Sequence, residues 1–342
     1  MSLLEAYIPS DRRQATARGE ILPDRATGAV MFADISGFTR LTDALVKEMG
    51  PRRGIDEFIQ QLNRVYDALI AQVDRYGGSV VSFSGDAITC WFEEKAEGGT
   101  PSRGQVRKAE SFSSFILPPS SFRAVACALE MQQAMSQFAA VKTPAGATVS
   151  LAIKIAVATG PVRRFLVGDP HIQYLDILAG QTLDRLARID QLAQPGEILV
   201  GPQIVANLGD RLQIAEWREE DEAEIEAKAD EVARRGQAKA ESRQRFAVIT
   251  DLSPPPSTPP PLQPSILPPL HPSTPPLLTE AQIRPWLLPP VYDRLKSGQG
   301  QFLAELRPAV ALFVKFGGLD YDGDEAAGIK LDAYIRWAQH IL

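Results

Sequence analysis

Cysteine, histidine and tryptophan are scarce in this 342-residue sequence, which holds two, three and four of them respectively. The two cysteines, Cys90 and Cys127, fall in apolar stretches, so buried thiols in a reducing compartment are expected rather than a disulfide. His171, His271 and His340 share no metal-ligand spacing, which argues against a histidine-based metal centre. Positive charge is also short: the formal net charge is −6, and no basic stripe is available to neutralise a nucleic acid backbone. No run of about 18 apolar residues occurs, so no membrane span is expected. The opening MSLLEAYIPSDRRQ lacks the apolar core of a signal peptide, and a cytoplasmic location follows as the expectation. A GxxxxGK[ST] loop is missing too, which removes support for a P-loop nucleotide hydrolase.

What is present is organised around one domain of about 25–250, preceded by an extension at 1–24. GAVMFA reads as a buried strand, with a turn from Asp34 to Thr39. The stretch Ile55 to Arg75 has Phe58, Leu62, Val65, Leu69 and Val73 at helical spacing, and Gly77 and Gly78 stop it. SVVSFSGDAITCWF is a hairpin with Asp86 at its tip. Residues 95–121 read as an inserted loop, followed by a helix from Phe122 to Phe138 and a strand from Val149 to Ala158. TGPVRRFLVGD then reads as turn and strand, with Arg163 and Arg164 on a solvated edge in preference to a phosphate contact. An amphipathic helix in LAGQTLDRLARIDQLA, a strand in PGEILVG, a charged helix or excursion at 217–243 and a strand in RFAVI complete the domain. The proline-rich stretch at 251–279 reads as a semi-rigid spacer. Beyond it, 280–342 resembles a second copy cut short, with Lys315 opposite Asp34, and such a piece is too small to bury a core of its own. Its acidic run DYDGDE lacks the EF-hand spacing and reads as a solvated turn.

Asp34 alone would be a cap, and Asp86 alone a hairpin-tip residue. Both stand at strand ends, and if those strands are neighbours the carboxylates converge. Two such groups repel unless a divalent cation lies between them. Oxygen donors of this kind suit Mg²⁺ or Mn²⁺, which retain waters and take substrate phosphates. The turn Ile35-Ser36-Gly37-Phe38-Thr39 offers amides at a helix N-terminus to a polyphosphate, and Gly37 lets the backbone come close. Two metals about 3.5–4 Å apart would activate a hydroxyl and hold a leaving pyrophosphate.

FADISGFT, YGGSVVSFSGDAITCWF and GQTLDRLARIDQLAQPGEILV, in that order, resemble the catalytic domain of class III nucleotidyl cyclases. The likeness is nearest to the first cyclase domain of the soluble, bicarbonate-responsive adenylyl cyclases and their bacterial relatives. It implies an α+β fold with a ferredoxin-like βαββαβ core and active sites between two such domains. It also implies two Mg²⁺ or Mn²⁺ ions per site held by Asp34, Asp86 and the Ile35 carbonyl. Ser36, Gly37, Phe38 and Thr39 would face the phosphates of ATP, with Ser82 and Gly85 also in the nucleotide site. Asp184 and Arg188 would act on ribose and transition-state phosphate, Arg185 being a possible substitute for Arg188. The product would be 3′,5′-cyclic AMP with pyrophosphate.

The chain departs from that pattern in three places. Ser82 stands where many members have an adenine-reading lysine, and Asp184 where an asparagine orients the ribose. Ile177, beside Asp176, stands where a base-reading acid is common. These departures agree with one half of an asymmetric pair, whose partner domain supplies the base-reading groups. Weak or no activity of the chain alone is then expected. The alternative is a catalytically weak pseudocyclase that senses nucleotide or bicarbonate. A diguanylate cyclase is disfavoured because GG[DE]EF is missing.

Overall fold

The computed structural model describes residues 3–94, 119–219, 244–254, 278–298, 314 and 316–341. Helix α1 (Ser10–Arg18) precedes strand β1 (Arg25–Ser36), and α2 (Phe38–Met49) and α3 (Pro51–Arg75) lead to β2 (Ser79–Ser84) and β3 (Ala87–Glu93). Then come α4 (Ser120–Met135), a small hairpin of β4 (Val141–Lys142) and β5 (Thr148–Val149), and the long β6 (Ala152–Val167). β7 (Leu175–Ala179), α5 (Gln181–Leu192), β8 (Ile198–Val200), α6 (Pro202–Leu208), β9 (Leu212–Glu219) and β10 (Arg245–Leu252) follow. The C-terminal part holds α7 (Glu280–Ile283), α8 (Pro289–Lys296) and α9 (Ala327–Ile341).

The main sheet runs β2-β3-β1-β6-β8-β10-β9, with β7 beside β6. Its first four strands are antiparallel neighbours and, with the helices between them, make the expected βαββαβ core. Strand alternation explains how β1 serves both faces. Ala29, Met31, Ala33 and Ile35 pack beneath α2, α3 and α4, against Leu41, Leu45, Val65, Leu69 and Met131. Val30 faces the other way and joins Ala156, Ala158, Leu186 and Ile189 under α5. Asp34 therefore emerges on the α5 side, at the end of a strand whose body is buried.

Several expectations are corrected. β1 continues through Ser36, so the turn is confined to Gly37, and the helix expected from Ile55 starts at Pro51. The turn expected near Thr159 is not formed: β6 runs unbroken from Ala152 to Val167, with Gly160 opposite Gly28 and Pro161 opposite Thr27. Residues 217–219 close β9 rather than opening a helix, and 220–243 lie outside the described residues. So do nearly all of the inserted loop, most of the proline-rich spacer, and Lys315 with most of the strand expected before it.

Arg163 and Arg164 are not a solvated edge; they are 1% and 3% exposed. Arg164 and Arg12 both bind the carboxylate of Asp176, and Arg164 also pairs with Asp11. This cluster fastens α1 to β6 and β7. Arg163 pairs with Asp24 and donates to the carbonyls of Tyr321 (3.0 Å) and Asp324 (3.3 Å), so it holds the C-terminal segment. That segment packs on the domain: Ala327 and Leu331 meet Phe165, Val167 and Ala179. Asp332 and Gln339 accept hydrogen bonds from the amides of Gly168 and Asp169. In the acidic turn, Asp320 accepts from the amides of Asp322 and Gly323.

Candidate active site

Asp34 and Asp86 reach one end of the sheet from adjacent strands. Asp34 is opposite Ala87 in the β1–β3 register, and the Ile35 amide donates to the Asp86 carbonyl at 3.3 Å. Gly85, with φ of 65°, makes the tight tip that places Asp86 there. Tyr66, from α3, donates to the Gly85 carbonyl at 3.2 Å. Burial raises the pKa of its phenol, and the charges of Asp86 and Asp34 add to that rise, so both carboxylates act on one group. Among the described residues no group of three or more His, Cys, Asp or Glu gathers as a metal site.

The turn after β1 opens α2 without any side-chain cap. Ser36 is not turned toward that opening; its hydroxyl donates to the Ala152 carbonyl at 3.3 Å. Phe38 is buried in an edge-to-face contact with Phe58, ring centroids 5.7 Å apart, while Thr39 is exposed. Gly37 has φ of 106°, and a Cβ on it would stand 2.5 Å from the Ser150 carbonyl oxygen. Packing against the segment that joins β5 to β6 therefore demands glycine here, independently of any phosphate. Ile35 is fully buried, Ser82 is half-buried in β2, and Gly85 is exposed.

Asp184 is drawn to another neighbour. Asp184 and Arg188 lie four residues apart on one side of α5, and Asp184 acts on Tyr321, whose phenol burial has already shifted upward. Arg185 is buried and donates to the Thr159 carbonyl at 3.5 Å, so it is turned into the sheet. Asp176 is committed to Arg12 and Arg164. An α5 residue that reaches the Asp34 end is Asp190, through Lys154. The Lys154 ammonium lies 3.4 Å from Asp34 Oδ2 and 2.9 Å from Asp190 Oδ1. Sequence reasoning missed both Lys154 and Tyr66. The available signal for Lys154 was a charge at the centre of the apolar run LAIKIAVA.

At the far end of α5, the Gln181 amide donates to Asp322 at 3.0 Å. The acidic turn thus caps this helix from a distant part of the chain.

A family model described as "Adenylate and Guanylate cyclase catalytic domain" matches residues 24–239. Adenylate cyclase type 10 of Rattus norvegicus is 25% identical over 190 residues, 54% of this chain and 10% of that protein. Adenylate cyclase type 10 of Homo sapiens is 25% identical over 181 residues, 52% of this chain and 10% of that protein. The chain spans about a tenth of the length of these curated relatives, given the 10% coverage. Among solved structures, the guanylyl cyclase Cya2 has a TM-score of 0.48 at 20% identity, covering 69% of this chain and 98% of its own. The adenylyl cyclase CyaB from P. aeruginosa has a TM-score of 0.46 at 18% identity, covering 68% and 98%.

Proposed function

The chain belongs to the adenylate and guanylate cyclase catalytic domain family, and we propose that it is the metal- and phosphate-binding half of a class III cyclase. Paired with a complementary cyclase domain, it converts ATP to 3′,5′-cyclic AMP and pyrophosphate. The observation that carries this reading is the meeting of Asp34 and Asp86 at adjoining strand ends beside the uncapped start of α2. ATP is chosen over GTP because the curated relatives are adenylate cyclases.

Two carboxylates fit a hard divalent cation that completes its shell with water, a backbone carbonyl and substrate oxygens. Asp34, Asp86 and the Ile35 carbonyl would hold Mg²⁺ or Mn²⁺. Two such ions would supply the charge that activates the ribose hydroxyl and stabilises the leaving pyrophosphate. The amides of Gly37, Phe38 and Thr39, at the uncapped start of α2, would take the β- and γ-phosphates. Asp184, which acts on Tyr321 of the C-terminal segment, and Arg188 would serve a site shared with the partner domain. The departures at Ser82 and Asp184 from the family pattern support the need for a second domain.

Cyclic AMP formation from ATP and Mn²⁺, measured with a complementary cyclase domain present, tests the proposal. Asp34→Asn is expected to lower the rate by about 100-fold or more, as loss of transition-state charge stabilisation does. An unchanged rate, or a regulatory response to nucleotide or bicarbonate without turnover, would favour the pseudocyclase reading.

A further inference from the structure

Lys154 sits in an apolar strand with two anionic neighbours drawn from different elements. In the β1–β6 register it stands opposite Asp34. Its ammonium is nearer to Asp190 (2.9 Å) than to Asp34 (3.4 Å). It also donates to the Asp190 main-chain carbonyl at 3.3 Å, in the last turn of α5, where the helix dipole favours a cation. Asp190 Oδ1 has no other hydrogen-bond partner among the described residues. The three side chains are only 20–30% exposed, so the charges are weakly screened. Burial pulls the Lys154 pKa down, but the hydrogen bond and charge of Asp190, followed by Asp34, outweigh it and the net shift is upward.

We infer that Asp190 is a positioning residue for the cation site: it holds the Lys154 ammonium beside Asp34 without letting it saturate that carboxylate. The inference rests on the reading of Asp34 as a metal ligand. An ammonium shared between two carboxylates offsets the repulsion of Asp34 and Asp86 while no metal is bound. The same sharing leaves Asp34 free to exchange its distant ammonium partner for a divalent ion, with Lys154 withdrawing onto Asp190. Without Asp190, the ammonium has Asp34 as its remaining carboxylate partner and competes with the metal.

The test is a Mn²⁺ titration followed by electron paramagnetic resonance, with no nucleotide present. It compares the unaltered chain with Asp190→Asn, Asp190→Glu, Lys154→Gln and Asp34→Asn. Asp190→Asn is expected to raise the Mn²⁺ Kd by roughly tenfold, the scale for losing one nearby charge in a partly buried site. Asp190→Glu, which keeps the charge and guards against misfolding, is expected to restore most of that affinity. Lys154→Gln is expected to shift Kd the opposite way, to tighter binding. A merely structural contact would weaken binding in both Asp190→Asn and Lys154→Gln, and that result overturns the inference. An unchanged Kd in Asp190→Asn, with binding lost in Asp34→Asn, also overturns it while leaving the metal reading intact. Unchanged binding in Asp34→Asn would instead remove the metal reading on which it rests.

Discussion

Among single side chains, the carboxylates of this domain divide by what faces them. Asp176 is sealed between Arg12 and Arg164, its side chain 1% exposed, whereas Asp34 keeps 30% of its surface open. A carboxylate so enclosed holds structure together, because its desolvation is offset only while both guanidinium groups stay in place. Asp176→Ala is expected to cost about 3–5 kcal/mol in urea unfolding, since it leaves buried arginines without their partner. A loss below about 1 kcal/mol, the range of solvated pairs, would contradict that role.

The same contrast marks what the sequence disclosed. The strand-end positions of Asp34 and Asp86 were legible because one apolar run stops at Asp34 and another starts just after Asp86. Arg163 and Arg164 were misread because two adjacent charges look solvated until their partners appear, and those partners include Asp11, Asp24 and the carbonyls of Tyr321 and Asp324. Gly37 was legible as a special position, but one cause of its conformation, the Ser150 carbonyl, lies more than a hundred residues away.

For whole elements, attachment to the sheet decides behaviour. α1 is held by Arg12 and Asp11 through ion pairs to β6 and β7, and by Ser10, whose hydroxyl lies 2.7 Å from that of Ser79. Burial pushes the Asp11 carboxyl up, yet the hydrogen bond and charge of Arg164 outweigh it and the folded pKa is depressed. A depressed carboxylate contributes stability that is fully present above its unfolded pKa and is lost as pH falls through the folded value. Thermal melting between neutral pH and about pH 3, below the ordinary carboxylate range, should therefore show a steeper loss of Tm in the unaltered chain than in Asp11→Asn. Parallel curves would mean that Asp11 does not anchor α1. β6 was the element least legible from sequence. Thr159-Gly160-Pro161 signals a turn, but the β1 pairing carries the strand through, aided by Gly160 at φ of 152°. The seat of α9 against Phe165 and Ala179 was not legible in the sequence.

At the scale of the whole molecule, the groups assigned to catalysis occupy separate places on one domain. Asp34 and Asp86 lie at the end of α5 marked by Asp190, whereas Asp184 lies near Tyr321 of the C-terminal segment. Under the proposed function, one domain would supply the cation ligands of one site and the α5 side chains of another. The chain alone, with Ser82 in place of an adenine-reading lysine, is expected to form little cyclic AMP from ATP and Mn²⁺. Addition of a complementary cyclase domain is expected to raise the rate by about 10-fold or more, on the scale of restored substrate positioning. Brisk turnover by the isolated chain would overturn the requirement for a partner. The cyclase domain itself was legible in the motif order, while the departures at Ser82 and Asp184 are the grounds on which an asymmetric pair is proposed.

The most direct test is anomalous diffraction from crystals grown with Mn²⁺ and a non-hydrolysable ATP analogue. The account predicts a manganese peak within coordinating distance of the carboxylates of both Asp34 and Asp86, with the triphosphate against the N-terminus of α2. Nucleotide bound elsewhere, or manganese touching neither or only one of these aspartates, would contradict it.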